Sequence, residues 1–390
     1  FAQIIVTIST LLLAIAFAHF ISKETYGEYK FILSIASILG AFTLTGLGTA
    51  VSKSVALGYE GTLHDAFWTN IKWSVLFFVL TLSVSIYYFV HGNSGLGMAM
   101  LVVGTLSPFF SSTNLYNSYL VAKKDFKRSA LYFALIGNIF PAFCIFIAIL
   151  LRSSSLVLVM VYFASNTLIG VILYIRVVKI YKPNKKVDEG AHLYSKHLSF
   201  MGIIGAVVDN VDQVLVFHFI GPVQLAIYNF AIAIPNQIKG PMKGLAGLIF
   251  PKFAERTDKE IVSGMNNKYL LMFISSIVMI VTYITLAPYI FHLFFPKYVE
   301  SIFYSQVFIF YFLGIVSAPA EIYLISRGKI KEQYIASFSG SIVQIVFLFV
   351  GIMYWGLMGL VVARVITKQL WSIINVLLYN SASKKALQNL

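Results

Sequence analysis

Seven charged side chains occur inside long apolar segments in the second half of the chain. They are Asp209, Asp212, Lys239, Lys243, Glu321, Arg364 and Lys368. An ionised side chain at the centre of a bilayer costs about 3 kcal/mol, so each needs a partner, a water-filled cavity or a function. The apolar segments of the first half contain no such charge. We therefore expect a lopsided site whose chemistry is concentrated in the second half.

The three carboxylates have the chemistry to bind a cation or a proton. Asp209 and Asp212 are three residues apart, so a helix places both on one face. Such a pair could line a cavity and bind a coupling ion, or it could form a buried structural ion pair between helices. Glu321 is a third carboxylate of this kind and a candidate ion-pair partner for Arg364 or Lys368.

The four basic residues form two pairs with a spacing of four, which is one helical turn. Lys239 and Lys243 lie in or beside Pro235–Gly244, which contains two prolines and two glycines and predicts a broken helix. Arg364 and Lys368 repeat the spacing deeper in a later segment. Ammonium and guanidinium groups at such positions suit an anionic ligand such as phosphate. The alternative is that Lys243 extends its ammonium group to the cytoplasmic surface.

The composition excludes several classes of protein. Of the 390 residues, 59% are hydrophobic and 11% charged, and the mean hydropathy is +0.84. Soluble domains carry roughly a quarter charged residues. The net charge is +14, but the basic residues do not form the polar basic face that is typical of nucleic-acid-binding proteins. We therefore expect no nucleic-acid partner. Cys144 is the single cysteine, which excludes an intrachain disulfide bond. We expect a membrane protein.

The remaining polar residues give no sign of catalysis. No metal-ligand spacing and no glycine-rich phosphate loop of the Walker type occurs, so we expect neither an enzyme nor a metal site. Asn114 and Asn117 are candidates for polar groups lining a cavity. Their alternative role is interhelical hydrogen bonding, which is common for asparagine within membranes.

Apolar runs of about 20 residues, the length needed to cross a bilayer, recur along the whole chain. They predict an all-α polytopic membrane protein with twelve spans. The predicted spans are Phe1–Ile21, Phe31–Ser52, Trp73–Val90, Leu96–Ala122, Ser129–Leu151, Leu156–Ile175, Leu198–Ile220, Val223–Phe250, Tyr269–His292, Ser301–Ile325, Tyr334–Tyr354 and Leu357–Tyr379. Because the chain begins with Phe1, we expect the first span to be truncated.

The connections between spans differ sharply in charge. Of the 29 Lys and Arg residues, 21 fall on the side that carries the C-terminus. Four fall on the opposite side, and they are Lys23, Lys30, Arg152 and Lys297. Basic residues concentrate in cytoplasmic connections. Both termini are therefore expected to be cytoplasmic.

The two halves of the chain resemble each other. Tyr29-Lys30-Phe31 aligns with Tyr228-Asn229-Phe230 at an offset of 199, and Tyr119–Lys123 aligns with Tyr323–Arg327 at an offset of 204. Each pair is six spans apart, which indicates a parallel repeat around a central cavity. We predict an N-terminal six-helix lobe at residues 1–178, a cytoplasmic linker at 179–197, and a C-terminal six-helix lobe with a short tail at 198–390.

Several motifs resemble those of a known family. They are Tyr26-Gly27-Glu28-Tyr29 and Leu44–Ala50 in the first half, and Asp209–Gln213, Gly221 and Ala226-Ile227-Tyr228 in the second. They resemble the polysaccharide biosynthesis transporters, the O-antigen and exopolysaccharide flippases of the multidrug/oligosaccharidyl-lipid/polysaccharide (MOP) superfamily. The resemblance implies two six-helix lobes around a cavity that opens alternately to each side. It also implies a substrate oligosaccharide carried on a polyprenyl diphosphate.

The expected function is a flippase for such a lipid-linked oligosaccharide in the cytoplasmic membrane of a prokaryote. In that role the diphosphate would be bound by Lys239, Lys243, Arg364 and Lys368. We expect no cofactor, and coupling to protons or Na⁺ is left open. Membrane lipids are expected partners, with a polysaccharide polymerase and a chain-length protein as further candidates. The alternatives are a cation-coupled multidrug exporter, a peptidoglycan-precursor flippase and, less favoured, an integral-membrane polymerase or ligase.

Overall fold

The computed structural model describes the backbone of residues 2–388. Side chains are described for residues 4–200, 202–237, 253, 256–329 and 332–384. All regular structure in this described part is helical. The prediction of an all-α protein is confirmed.

The helices of the first half are α1 (Ala2–Phe20), α2 (Lys23–Gly40), α3 (Leu47–Ala56), α4 (Thr62–Val90), α5 (Ser94–Thr113), α6 (Leu115–Ala122), α7 (Phe126–Ser129), a π-helical turn (Ala130–Ile136), α8 (Gly137–Leu150) and α9 (Ser155–Tyr181). The second half contains α10 (Ala191–Phe219), α11 (Pro222–Glu255), α12 (Asp258–Ser263), α13 (Met265–Phe294), a 3₁₀ turn (Pro296–Tyr298), α14 (Ser301–Phe308), a 3₁₀ segment (Ile309–Ser317), α15 (Ala318–Ser326) and α16 (Ile330–Gln388).

Within the described residues, eight helical stretches are long and apolar enough to cross a membrane. They are Thr62–Val90, Ser94–Ala122, Phe126–Leu150, Ser155–Tyr181, Ala191–Phe219, Met265–Phe294, Ser301–Ser326 and Glu332–Lys384. Ile4–Phe20 is a shorter apolar helix. The last of the eight is a helical hairpin, because Gly356 has a φ of 58° and a ψ of −140°. That break separates the two final predicted spans, Tyr334–Tyr354 and Leu357–Tyr379, as the sequence indicated.

The second predicted span, Phe31–Ser52, is wrong in its boundaries. Its helix begins at Lys23, where Ser22 caps the first turn by accepting a hydrogen bond from the Thr25 N–H at 3.1 Å. It then ends at Gly40, and a non-helical stretch separates it from α3. The Thr43 hydroxyl donates to the Gly40 carbonyl at 2.7 Å in that stretch, which satisfies one of the carbonyls freed at the helix end.

The chain forms two compact units, residues 1–217 and 218–390. The first unit has a buried core in which α3, α6 and α9 meet, with Val51, Tyr119 and Val177 fully enclosed. In the second unit, Tyr283 and Ile280 of α13 pack against Phe312. The helix α10 lies in the first unit up to Phe217, whereas the sequence analysis placed its residues from 198 onward in the second lobe. Its contacts with α2, described below, explain that difference, and the predicted two-lobe division itself stays a prediction.

The non-helical part of the predicted linker, residues 182–190, is bound to the turn between α3 and α4. The Asn184 side chain donates to the Gly58 carbonyl at 2.9 Å. The Asp188 carboxylate accepts from the Ser54 hydroxyl at 2.6 Å, and its backbone N–H donates to the Thr62 hydroxyl at 3.0 Å. Gly61 has no room for a side chain, since a Cβ there would lie 2.8 Å from the Lys185 carbonyl carbon. The linker is therefore a packed part of the first unit.

Candidate functional site

Asp209 and Asp212 lie on α10 in different surroundings. Asp212 is fully buried, and it accepts a hydrogen bond from the Gln213 N–H at 2.9 Å. Asp209, three residues earlier, is exposed. A spacing of three keeps two residues on neighbouring parts of a helix, yet the packing of the helix decides which of them is enclosed. The two carboxylates therefore have distinct environments, which the shared spacing alone did not indicate.

The helix α10 packs antiparallel along α2 and α3, and we call this contact the α2–α10 seam. Near one end, the Gly46 N–H donates to the Ser199 hydroxyl at 2.9 Å. In the middle, the Asn210 amide donates to the Ser37 hydroxyl at 3.1 Å. At the other end, Phe31 stacks on Phe217. The seam was not predicted, although an asparagine between two aspartates was visible in the sequence.

Lys368 lies in an aromatic setting in the second unit. Its ammonium group lies 5.1 Å from the centroid of the Trp371 ring and 5.6 Å from that of Tyr311. Its aliphatic part packs on Gly314, where an added Cβ would lie 2.6 Å from Lys368 Cγ. A cation over an aromatic face gains about 0.5–2 kcal/mol, depending on how far it is removed from water. Arg364, one turn away on the same helix, is half-buried.

Glu321 is separated from this basic pair. Gly314 lies beside Lys368. Further along both segments, the rings of Tyr323 and Tyr379 pack edge-to-face with centroids 4.9 Å apart. The segment that leads into α15 and this part of α16 therefore run in the same direction. Glu321 therefore lies about 10 Å further along than Gly314. It is exposed, and the described residues include no ion pair of Glu321 with Arg364 or Lys368. The candidate pairing of Glu321 with this basic pair is therefore not seen among the ion pairs of the described residues.

The two asparagines lie at junctions between helices. Asn117 accepts a hydrogen bond from the Ser129 hydroxyl at 2.6 Å, which joins α6 to α7. Asn114 is half-buried at the junction of α5 and α6. Asn117 therefore makes an interhelical hydrogen bond, which is the role that the sequence analysis gave as the alternative to lining a cavity.

Lys239 and Lys243 lie outside the residues whose side chains the structure describes, so their predicted roles stay predictions. Their helix, α11, is continuous from Pro222 to Glu255. The helix break expected at Pro235–Gly244 is therefore wrong. Proline and glycine are tolerated in membrane helices where neighbouring groups satisfy the freed backbone carbonyls.

Lys30 was assigned to an outer connection, and it is instead the eighth residue of α2. It is half-buried, and its ammonium group lies 5.6 Å from the centroid of the Tyr26 ring. The signal missed was Ser22, a good N-cap residue that starts the helix eight residues before the apolar run.

A polar cluster around Glu60 joins the α3–α4 turn to α6. Glu60 binds Lys123 and also accepts a hydrogen bond from the Tyr119 hydroxyl at 3.0 Å. The hydrogen bond and charge of Lys123, together with the Tyr119 hydroxyl, hold the pKa of Glu60 below its usual value of 4.5. This cluster fixes the turn to which the linker binds.

A family model described as "Polysaccharide biosynthesis protein" matches residues 1–257. No curated protein has significant sequence similarity to the chain. An inward-facing multidrug resistance MATE family transporter of the MOP superfamily is similar in structure, with a TM-score of 0.76 at 13% identity. The similarity covers 98% of this chain and 96% of that one.

Two further solved structures are similar. The lipid II flippase MurJ in an inward closed conformation has a TM-score of 0.59 at 13% identity, covering 99% of this chain and 90% of that one. A MOP superfamily transporter from Pyrococcus furiosus has a TM-score of 0.57 at 13% identity, covering 99% and 93%. At this identity the likeness shows the fold, which is that of MOP superfamily transporters. The chain is a multi-pass membrane protein.

Proposed function

Because the chain belongs to the polysaccharide biosynthesis protein family, we propose that it is a flippase for a polyprenyl-diphosphate-linked oligosaccharide. The substrate is an O-antigen, capsule or exopolysaccharide repeat unit, and alternating access carries it across the cytoplasmic membrane. Both termini are cytoplasmic in this proposal, as the distribution of basic residues indicates. Transport involves no catalytic step.

The observation that carries the proposal is the setting of Lys368. It is a cation on a membrane helix, held by Tyr311 and Trp371, and the described residues provide it with no carboxylate partner. A lysine ammonium is a compact point charge that binds phosphate well. A cationic drug would be repelled by the same group, so Lys368 favours an anionic substrate over the substrate of a cationic multidrug exporter.

Arg364 and Lys239 complete the proposed diphosphate contacts, with Lys243 as a fourth. Several moderate contacts suit a transporter better than one tight site, since the substrate must be released on the other side. Neutralising one charge-assisted contact costs about 1.5–3 kcal/mol, which is about tenfold or more in affinity.

The carboxylates supply the proposed coupling. Asp209, Asp212 and Glu321 are the groups that would bind a proton or Na⁺, and no cofactor is needed. Of the three candidates, Asp212 is the one that the protein fully encloses. A polysaccharide polymerase and a chain-length protein stay predicted partners.

The test is export of lipid-linked oligosaccharide in a cell that lacks its own flippase. We expect Lys239→Ala, Arg364→Ala and Lys368→Ala to strand this lipid on the cytoplasmic face, with each protein present at the parental level. Lys368→Arg keeps the charge and should retain partial export. The control is Lys185→Ala, because Lys185 is an exposed lysine in the linker.

Parental export by all three alanine variants would contradict the proposed diphosphate contacts. The same cells can be challenged with a cationic drug and with peptidoglycan precursor lipid. Transport of either of these, without transport of the oligosaccharide lipid, would replace the proposal by the corresponding alternative.

A further inference from the structure

Arg176 and Lys179 lie in the last two turns of α9, just beyond the predicted span Leu156–Ile175. Both side chains are exposed, and a spacing of three places them on neighbouring parts of one helix face. The Arg176 guanidinium lies over the ring of the buried Tyr132, 5.6 Å from its centroid. The arginine is therefore held at the level where an apolar span meets the polar membrane surface.

The carboxylate at this end of α9 has other partners. Asp125 accepts a hydrogen bond from the Arg128 N–H at 3.0 Å, and it also binds the Arg128 guanidinium and the Tyr181 hydroxyl. In the described part of the chain, Arg176 and Lys179 form no ion pair. Both cations can therefore take an anion from outside the protein.

An apolar groove begins on the membrane side of Arg176. The Tyr132 ring that carries the arginine packs in one cluster with Ile136, four residues later. Ile136 also belongs to the wall of the groove, whose volume here is about 390 Å³. The wall is formed by Leu135, Ile136, Ile139, Phe140 and Phe143. The groove thus starts about one helical turn from the cation.

The groove continues between α1 and α8. A second part, of about 520 Å³, shares Ile139 and Phe143 with the first. Its further apolar walls include Leu12, Ala16 and Phe20 of α1 and Ala142 and Phe146 of α8. Among the described residues that line it, only Ser9 and His19 are polar, and a hydrogen bond of 2.9 Å joins His19 Nδ1 to the Ile15 carbonyl. Such walls suit a hydrocarbon chain better than a sugar, which needs polar partners.

The length of the groove matches a lipid chain of one leaflet. From Leu135 to Phe146 it follows about 16 Å of helix. One leaflet is half of a hydrocarbon core of about 30 Å, which is about 15 Å. A chain that lies in the groove would place its headgroup at the level of Arg176.

We propose that Arg176 and Lys179 bind the headgroup of an anionic phospholipid whose acyl chain lies in the groove along α8. The two positive charges select an anionic headgroup over a zwitterionic one, and the planar guanidinium suits a phosphate. The lipid is a component of the membrane and not the transported substrate, so the inference does not depend on the proposed function. Its leaflet is the cytoplasmic one in the orientation proposed above.

The first experiment counts lipids bound to the purified full-length protein in detergent, by native mass spectrometry. The probes are dioleoylphosphatidylglycerol, dioleoylphosphatidylcholine and the free headgroup analogue glycerol 3-phosphate. We expect the parent to prefer phosphatidylglycerol. Arg176→Gln should weaken phosphatidylglycerol binding about tenfold, and Arg176→Lys should stay within about threefold of the parent. Equal binding of the two phospholipids by the parent would overturn the proposal, as would glycerol 3-phosphate that displaces the lipid at equal concentration.

Lys196→Gln is the matched control. Lys196 is also exposed and lies over an aromatic ring, 5.1 Å from the Trp73 centroid, but it lines neither part of the groove. This variant should bind phosphatidylglycerol like the parent. An equal loss in Lys196→Gln would show a general charge effect and overturn the site at Arg176. Failure of both Arg176→Gln and Arg176→Lys to reach the membrane would assign Arg176 a structural role and also overturn it.

The second experiment tests the groove. Phe143→Ala removes a wall residue and should weaken phosphatidylglycerol binding about fivefold. The control is Phe133→Ala, because Phe133 is an exposed phenylalanine of the π-helical turn that does not line the groove. Equal binding by Phe143→Ala and Phe133→Ala would overturn the placement of the acyl chain. Farnesyl diphosphate that displaces phosphatidylglycerol at equal concentration would assign the groove to the transported lipid and overturn the proposal.

Discussion

Phe31 and Phe217 stack face to face, with ring centroids 3.8 Å apart and ring planes 11° from parallel. Their helices are separated by most of the first unit in sequence, and the stack closes one end of the α2–α10 seam. Phe31 is almost completely buried, at 2% exposure.

The stack should couple α2 to α10 energetically. We expect Phe31→Leu and Phe217→Leu to show a coupling of about 0.5–1.5 kcal/mol in a double-mutant cycle, measured by chemical unfolding in detergent. The control cycle combines Phe31→Leu with Phe163→Leu, because Phe163 is another buried phenylalanine of the first unit. The effects of these two substitutions on the free energy of unfolding should add. Additive effects for the stacked pair would show that the seam is not held at this point.

The hairpin at the end of the chain depends on two glycines that touch. A Cβ on Gly359 would lie 2.0 Å from the Gly351 carbonyl oxygen, so no side chain fits without separating the two arms. We expect Gly359→Ala to lower the free energy of unfolding by about 1–3 kcal/mol. Gly340→Ala is the control, because a Cβ there would meet its nearest atom at 3.6 Å. Equal stability of the two variants would contradict the close approach.

The acidic pair is expected to affect coupling more than folding. Asp209→Asn and Asp212→Asn keep the shape of the side chain and remove the charge, so both proteins should reach the membrane at the parental level. Transport in proteoliposomes should then lose its dependence on a proton or Na⁺ gradient, and the buried Asp212 should show the larger effect. If neither protein accumulates, the two carboxylates are structural.

The Glu60–Lys123 pair predicts a loss of stability in acid. The pKa of Glu60 is lowered in the folded protein, chiefly by Lys123, so the pair stabilises the fold at pH values above the usual pKa of 4.5. That stabilisation is lost as the pH falls below this value and the carboxylate takes up a proton. Glu60→Gln should be less stable than the parent by roughly 1 kcal/mol at about pH 7. The difference should shrink as the pH is lowered, and a constant difference would argue against the ion pair.

The topology can be tested with reporter fusions at Asn93 and Lys185. Asn93 lies in the turn between α4 and α5, and Lys185 lies in the linker bound to the α3–α4 turn. The distribution of basic residues places Lys185 in the cytoplasm and Asn93 on the other side. Two fusions that report the same compartment would contradict this orientation.

The sequence by itself determined the helical class, most of the predicted membrane segments and the break near Gly356. These properties depend on the residues of each segment, since a bilayer requires about 20 apolar residues and an internally bonded helix. It also identified which positions carry charge. The α2 boundary was missed because a helix can begin at a polar cap well before its apolar run, and this concealed Lys30.

Only the tertiary structure decided how those charges are surrounded. Asp212 is enclosed while Asp209 is exposed. Glu321 of α15 lies away from the level at which Lys368 of α16 packs on Gly314. The helix α10 packs on α2 in the first unit. Each of these facts depends on the rotation of a helix and on which distant segment covers it. That rotation results from the fit of side chains such as Phe31 and Phe217, more than 180 residues apart, and no periodicity within a single helix encodes it.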